Sequence, residues 1–185
     1  MTESPILLIS GTNRSGSNSM KIARIIEGHY RKASVPVSLL GMDELPAEIF
    51  RPDAYMNKPP AMVELQRRVL DAHGLHIVTA EYNGSFPGVL KYFIDMLKFP
   101  ESFDRKPVAF VGVANGMWGG LRAVEQLQMV FGYRNAHIYP DRVFIPNVNA
   151  RLTADGQLTD QDIDARLAKQ AAGFAKFIAA LRAAQ

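Results

Sequence analysis

Short apolar runs alternate with amphipathic helical stretches along the whole chain, and this alternation limits the fold more than any other feature. Pro5–Ser10 is apolar and β-prone, while Leu75–Thr79 and Pro107–Ala114 are nearly continuous apolar runs. Runs of this kind become central strands of a parallel sheet, buried on both faces. Val35–Leu40 reads as a further strand, and His137–Tyr139 begins a last one that resumes through Val143–Ile145 after Pro140. Between them lie helical faces: Ile22, Ile25, Ile26 and Tyr30; Leu90, Phe93, Ile94 and Leu97; and Leu121, Val124, Leu127 and Phe131 within Gly119–Gly132. A helix over Pro59–His73 turns Met62, Leu65, Val69 and Leu70 inward, with Gly74 as its C′ residue. The chain closes with a long helix through Ile163, Leu167, Ala171, Phe174, Ile178 and Leu181, opened by a capping box of Thr159 and Asp162. Strand and helix in strict alternation predict βαβ units around a parallel sheet. The length of 185 residues suits one core, and no repeat, linker or boundary divides residues 1–185, so they read as a single domain.

In such a sheet, ligands sit beyond the carboxyl ends of the strands. Two loops there carry chemistry. After the first strand comes Gly11-Thr12-Asn13-Arg14-Ser15-Gly16-Ser17-Asn18-Ser19, running into a helix start. Hydroxyls, glycines and one guanidinium at a helix N-terminus make an anion site. Gly11 and Gly16 have P-loop spacing, but Ser17 and Asn18 stand where Lys and Ser/Thr would follow, and the G-x-G-x-x-G dinucleotide fingerprint is absent. A terminal phosphate monoester, which needs several donors and no metal, suits this loop better. After the third strand comes Ala80-Glu81-Tyr82-Asn83-Gly84-Ser85-Phe86-Pro87-Gly88-Val89-Leu90-Lys91. It offers backbone N–H groups, a flat aromatic ring and an amide, which can hold a planar heterocycle by its edge. A phosphate loop and a ring-edge loop together specify a flavin mononucleotide (FMN) site.

At these residues the chain resembles the NAD(P)H-dependent FMN reductase family of flavodoxin-like proteins, which includes quinone, azo-dye and chromate reductases. Gly11, Thr12, Arg14, Ser17, Asn18 and Ser19 resemble that family's phosphate loop. Glu81-Tyr82-Asn83 and Pro87-Gly88-Val89-Leu90-Lys91 resemble its second signature, with Ala80 in place of a Pro. Asn115-Gly116-Met117-Trp118-Gly119-Gly120-Leu121-Arg122 resembles its third, with Asn115 and Trp118 in a loop that is usually smaller. The resemblance implies a flavodoxin-like doubly wound sheet of five strands in the order 2-1-3-4-5, helices on both faces, and FMN between strands one and three. It further implies that Thr12, Arg14, Ser17, Asn18 and Ser19 hold the phosphate. Glu81, Tyr82, Asn83 and Gly84 would meet the isoalloxazine edge, and Asn115, Gly116, Trp118 and Gly119 would flank the ring or the ribityl chain. The implied activity passes hydride from NADPH or NADH to FMN, and electrons on to quinones, azo compounds, metal oxyanions or free flavin. No protein acid or base is required, so no catalytic dyad is assigned. The alternative from a different class is a non-enzymatic flavodoxin-like electron carrier, and a third reading is a regulatory domain that keeps the fold without the flavin.

Bulk properties weigh on that choice. The chain has no cysteine, so any redox chemistry rests on a bound cofactor. The net charge is +3 with scattered Lys and Arg, which argues against nucleic-acid binding and against the acidic character of electron carriers. A mildly positive surface attracts an anionic dinucleotide. No charged leader precedes an apolar stretch and no run reaches membrane-spanning length, which makes the cytoplasm the expected location. His73 and His76 form an i, i+3 pair without a third ligand, so no metal site is expected.

Gly41–Pro60 is a long connection that carries Pro46, Pro52, Pro59 and Pro60 together with Leu45, Ile49, Phe50, Tyr55 and Met56. It has too many large apolar side chains for a disordered linker. Either it folds back on its own domain, or, as the family resemblance implies, it lies across a second subunit and walls that subunit's flavin site. The second is expected, in a homodimer or a homotetramer, because exposed apolar patches mark interfaces.

Overall fold

The computed structural model describes residues 5–184. Its sheet is parallel and takes its strands in the order 2-1-3-4-5, as the alternation of elements and the family resemblance lead one to expect. The strands are β1 (Ile6–Ser10), β2 (Val37–Gly41), β3 (Gly74–Ala80), β4 (Pro107–Val113), β5 (His137–Ile138) and β6 (Val143–Ile145). The last expected strand is thus two pieces, each parallel to β4: His137 and Ile138 pair with Pro107 and Val108, and Val143–Ile145 pair with Val111–Val113. Pro140 falls in the gap, where a ring without an N–H cannot serve a ladder.

The helices are α1 (Asn18–Lys32), α2 (Pro60–Asp71), α3 (Gly88–Met96), α4 (Leu121–Tyr133), α5 (Val148–Arg151) and α6 (Gln161–Ala183). The short α5 has no counterpart in the five-helix expectation, because four residues are too few to show a period. Alternate residues of the strands feed two cores. Leu7, Ile9, Val108 and Phe110 pack with α2, α3 and α4, whereas Ile6, Leu8, Ala109 and Val111 pack with α1 and α6. The sheet is therefore covered on both faces, and its long strands are buried throughout.

Two helix ends differ from expectation. Gly74 is not a C′ residue: α2 ends at Asp71, Ala72 is already extended, and Gly74 opens β3. The Lys106 ammonium closes α2 instead, donating to the carbonyls of Val69, Leu70 and Ala72 at 3.2, 3.1 and 2.7 Å. Gly74 is small because α6 crosses it; a Cβ there would lie 2.6 Å from Ile178 Cδ1. At the start of α6, Asp160 rather than Thr159 is the cap, its carboxylate accepting from the Ile163 N–H at 3.0 Å. The Thr159 hydroxyl donates to the Arg151 carbonyl, and Arg151 pairs with Asp160, so this corner is tied to α5.

A polar chain crosses the α1/α6 core. The Gln170 amide spends its N–H groups on the carbonyls of Phe110 and Asp141, at 3.0 and 2.8 Å. Its oxygen must therefore accept from His76 Nε2 at 3.2 Å, which leaves His76 Nδ1 to accept from the Tyr30 hydroxyl at 2.8 Å. Each polar atom of the neutral imidazole is satisfied. Burial pushes the His76 pKa down from 6.5 to about 4, and pushes that of Tyr30 up.

The connection after β2 forms three 3-10 turns, Met42–Glu44, Ala47–Phe50 and Pro52–Tyr55. Ile49 and Ala54 are buried in the domain's own core, and the Tyr92 hydroxyl of α3 donates to the Ile49 carbonyl at 2.7 Å. Phe50, Tyr55 and Met56 stay exposed, Met56 at 88%. The segment thus packs on its own subunit and still presents an apolar outer surface.

Candidate functional site

The loops beyond β1 and β3 enclose a cavity of about 490 Å³, within the range of small-ligand and cofactor sites. Thr12, Arg14, Ser17, Asn18 and Ser19 all line it, as do Glu81, Tyr82 and Asn115. Ser17 caps α1, its hydroxyl oxygen accepting from the Met20 N–H at 3.2 Å and keeping a proton to donate. The first-turn N–H groups of Asn18 and Ser19 have no acceptor inside the helix. Arg14 is exposed and has no ion-pair partner among the described residues. Capping thus leaves donors at this helix start unspent.

The two loops are joined by one bond: Thr12 Oγ1 and the Tyr82 hydroxyl lie 2.9 Å apart. Tyr82–Ser85 is a tight turn closed by reciprocal bonds, the Tyr82 N–H donating to the Ser85 carbonyl at 2.8 Å and the Ser85 N–H donating back at 3.0 Å. Asn83 and Gly84 occupy its centre with φ of 52° and 76°, the positive pair of a type I′ turn, for which Asn-Gly is the favoured sequence. This geometry narrows the backbone donors that the loop can offer. The Glu81 N–H is spent on the Val113 carbonyl and the Tyr82 N–H on the turn, so those of Asn83 and Gly84 remain. Asn83 and Gly84 lie beyond the lining residues on the same loop.

Helix α4 braces this turn. The Gln126 amide donates to the Gly84 carbonyl at 3.0 Å and accepts from the Ser85 hydroxyl at 2.6 Å. Arg122 pairs with Glu81 Oε1 at 3.0 Å, while Glu81 Oε2 is buried with no partner. Four residues apart on one helix face, Arg122 and Gln126 were detectable as a pair by period alone, although nothing in the sequence shows what they reach.

Of the third loop, Asn115 lines the cavity, while Gly116, Trp118 and Gly119 stand outside the lining. Gly119, at φ 60°, seats the loop: a Cβ there would lie 2.8 Å from the backbone nitrogens of Ile145 and Pro146. Trp118 is 53% exposed beside an exposed Met117. The remaining wall is one that no sequence signal indicated, Val148 and Asn149 of α5. The Asn18 amide donates to Asn149 Oδ1 at 2.8 Å.

The donor set fits an anion with a ring attached. At one end stand hydroxyls, a guanidinium and helix N–H groups. Glu81 is the sole carboxylate of the lining, and Arg122 already pairs with it. Among the described residues, no group of three or more His, Asp or Glu side chains is placed to hold a metal ion, and His76 is committed to the buried chain.

The profile of the family described as NADPH-dependent FMN reductase matches residues 4–150. The chain belongs to this family. Its FMN-reductase relatives include an NAD(P)H-dependent FMN reductase of Pseudomonas aeruginosa, 31% identical over 160 residues that make up 84% of each chain. The quinone reductase of Escherichia coli K12 is 30% identical over 182 residues, 94% of each. Among solved structures, the flavoenzyme NAD(P)H:(acceptor) oxidoreductase of Paracoccus denitrificans superposes with a TM-score of 0.79 over 95% of this chain and 97% of that one. At 23% identity, that likeness speaks to the flavodoxin-like fold. As a member of the FMN reductases, the chain is a flavin-dependent oxidoreductase with NAD(P)H as co-substrate.

Proposed function

We propose that the chain is an NAD(P)H-dependent FMN oxidoreductase of broad acceptor range, taking quinones, azo compounds, metal oxyanions or free flavin. The observation that carries this reading is the junction of an anion cradle, Thr12–Ser19, with a type I′ turn whose Asn83 and Gly84 N–H groups are unspent. Bound FMN would supply the redox chemistry that links the nicotinamide to the second substrate. The protein's part is to hold and align. Arg14, the hydroxyls of Thr12, Ser17 and Ser19 and the N–H groups at the start of α1 would hold the phosphate. Asn83 and Gly84 would supply donors to the ring edge, where negative charge builds on reduction, and fixed dipoles act strongly there because they need not reorganise. The bond between Thr12 and Tyr82 keeps the two ends of the site in register. Asn115 and Trp118, with the glycines of their loop, would flank the ring.

Location and assembly belong to the same proposal. The reading places the enzyme in the cytoplasm; among the described residues no helix is long and apolar enough to cross a membrane. Phe50, Tyr55 and Met56 form an outward apolar surface that supports a two-fold dimer, or a dimer paired into a tetramer.

The family relationship supports a reductase over a non-enzymatic carrier. Anaerobic mixing with NADPH or NADH tests this directly. The flavin absorbance should bleach without any partner protein, then return on addition of a quinone. A flavin that stays oxidised until a reductase is added would make the protein a carrier.

A further inference from the structure

Asn149 lies 131 positions from Asn18 in the chain, yet the two carboxamides meet at 2.8 Å across the mouth of the phosphate loop. The bond uses one of the four amide N–H groups of the pair and one carbonyl oxygen. Three N–H groups therefore stay unspent, whichever amide donates. Both residues line the cavity together with Arg14, Ser15, Ser17 and Ser19.

The segment that presents Asn149 is braced on several sides. The Val148 N–H donates to the Ala114 carbonyl and Val148 is buried. Arg151 donates to the Pro146 carbonyl at 2.8 Å and pairs with Asp160, the cap of α6. Its carbonyl accepts from the Thr159 N–H at 2.9 Å. An exposed amide on a stiff, four-residue helix loses little freedom when it binds, which favours a recognition role over a chance surface contact.

We propose that Asn149 is a further donor to the phosphate of the cofactor, presented from α5 and held beside the start of α1 by its amide pair with Asn18. The proposal rests on the phosphate-loop reading and extends it to a residue outside every motif of the sequence. An amide suits this place because the phosphate oxygens need several donors, and the one carboxylate of the lining, Glu81, is already paired with Arg122. A carboxylate of nearly the same shape would repel the anion and could donate nothing.

The test compares FMN with riboflavin, which carries the same ring and ribityl chain without the phosphate. Apoprotein is titrated with each flavin and the dissociation constant read from flavin fluorescence, with thermal midpoints recorded for every variant. Asn149→Ala should weaken FMN roughly tenfold, as loss of a hydrogen bond to a charged group does, and leave riboflavin within about twofold. Asn149→Asp should weaken FMN further, again sparing riboflavin. Variants that keep the wild-type ratio of FMN to riboflavin affinity would overturn the proposal and leave the phosphate loop untouched. Equal losses for both flavins would also overturn it, making Asn149 a tether of α5 only. A wild-type protein that binds FMN no better than riboflavin would overturn the phosphate-loop reading itself.

Discussion

Lowering the pH through the window from 6.5 to about 4 is expected to remove about 3 kcal/mol of folding stability through His76 alone. The folded-state pKa lies below that of the unfolded chain, so within this window the unfolded chain binds a proton that the folded one refuses. The contribution is fully present above pH 6.5, falls as the pH drops, and levels off below about 4. The cause is burial. The imidazole is enclosed in the core, so its charged form loses hydration, and the hydrogen bond that the Gln170 oxygen accepts from Nε2 offsets only part of that cost. Denaturant unfolding at pH 7 and at pH 4.5, for wild type and His76→Gln, measures it. The variant should lose less between the two pH values than the wild type. Parallel losses would mean that carboxylates elsewhere carry the acid sensitivity.

Arg14→Ala should weaken FMN binding by about 1.5–3 kcal/mol, which is roughly tenfold to a hundredfold or more. Arg14 lines the cavity, stands exposed at the helix start and has no ion-pair partner among the described residues, so its charge is available to an anion. The substitution removes no contact of the core and should leave the thermal midpoint of the apoprotein within a degree or two. Titration of the apoprotein with FMN provides the measurement. An unchanged dissociation constant would reduce Arg14 to a surface residue.

Physical range explains which parts of this molecule were legible in the sequence. The buried strands β1, β3 and β4 declare themselves because both faces are covered and nearly all of their residues are apolar. The phosphate loop is legible because a helix start, hydroxyls and a guanidinium occur within nine consecutive residues. Asn83-Gly84 is legible as a turn because positive φ restricts residue choice, although which N–H groups it leaves free depends on Val113 and Ser85.

What escaped depends on contacts distant in sequence. Gly74 looked like a helix stop because glycine serves that end so often; its reason is the passage of α6, a full hundred residues later. Lys106 closes α2 from another element, and no local rule could name it. Thr159 lost the cap to its neighbour Asp160 because its own hydroxyl is drawn to the Arg151 carbonyl. Arg122, Gln126 and Asn149 reach the site from α4 and α5, and only the folded chain shows their targets. The Gly41–Pro60 connection packs on its own subunit through Ile49, while Phe50, Tyr55 and Met56 face out, a split that composition alone could not assign residue by residue.

We propose that the cavity between the β1 and β3 loops holds a flavin ending in a single phosphate. Heat denaturation of the purified protein, followed by separation of the released flavin, is the decisive measurement. The predicted result is a yellow protein that releases FMN and no FAD, because an adenylate beyond the phosphate would collide with the start of α1. A colourless protein that FMN cannot reconstitute, or one that releases FAD, would contradict the account.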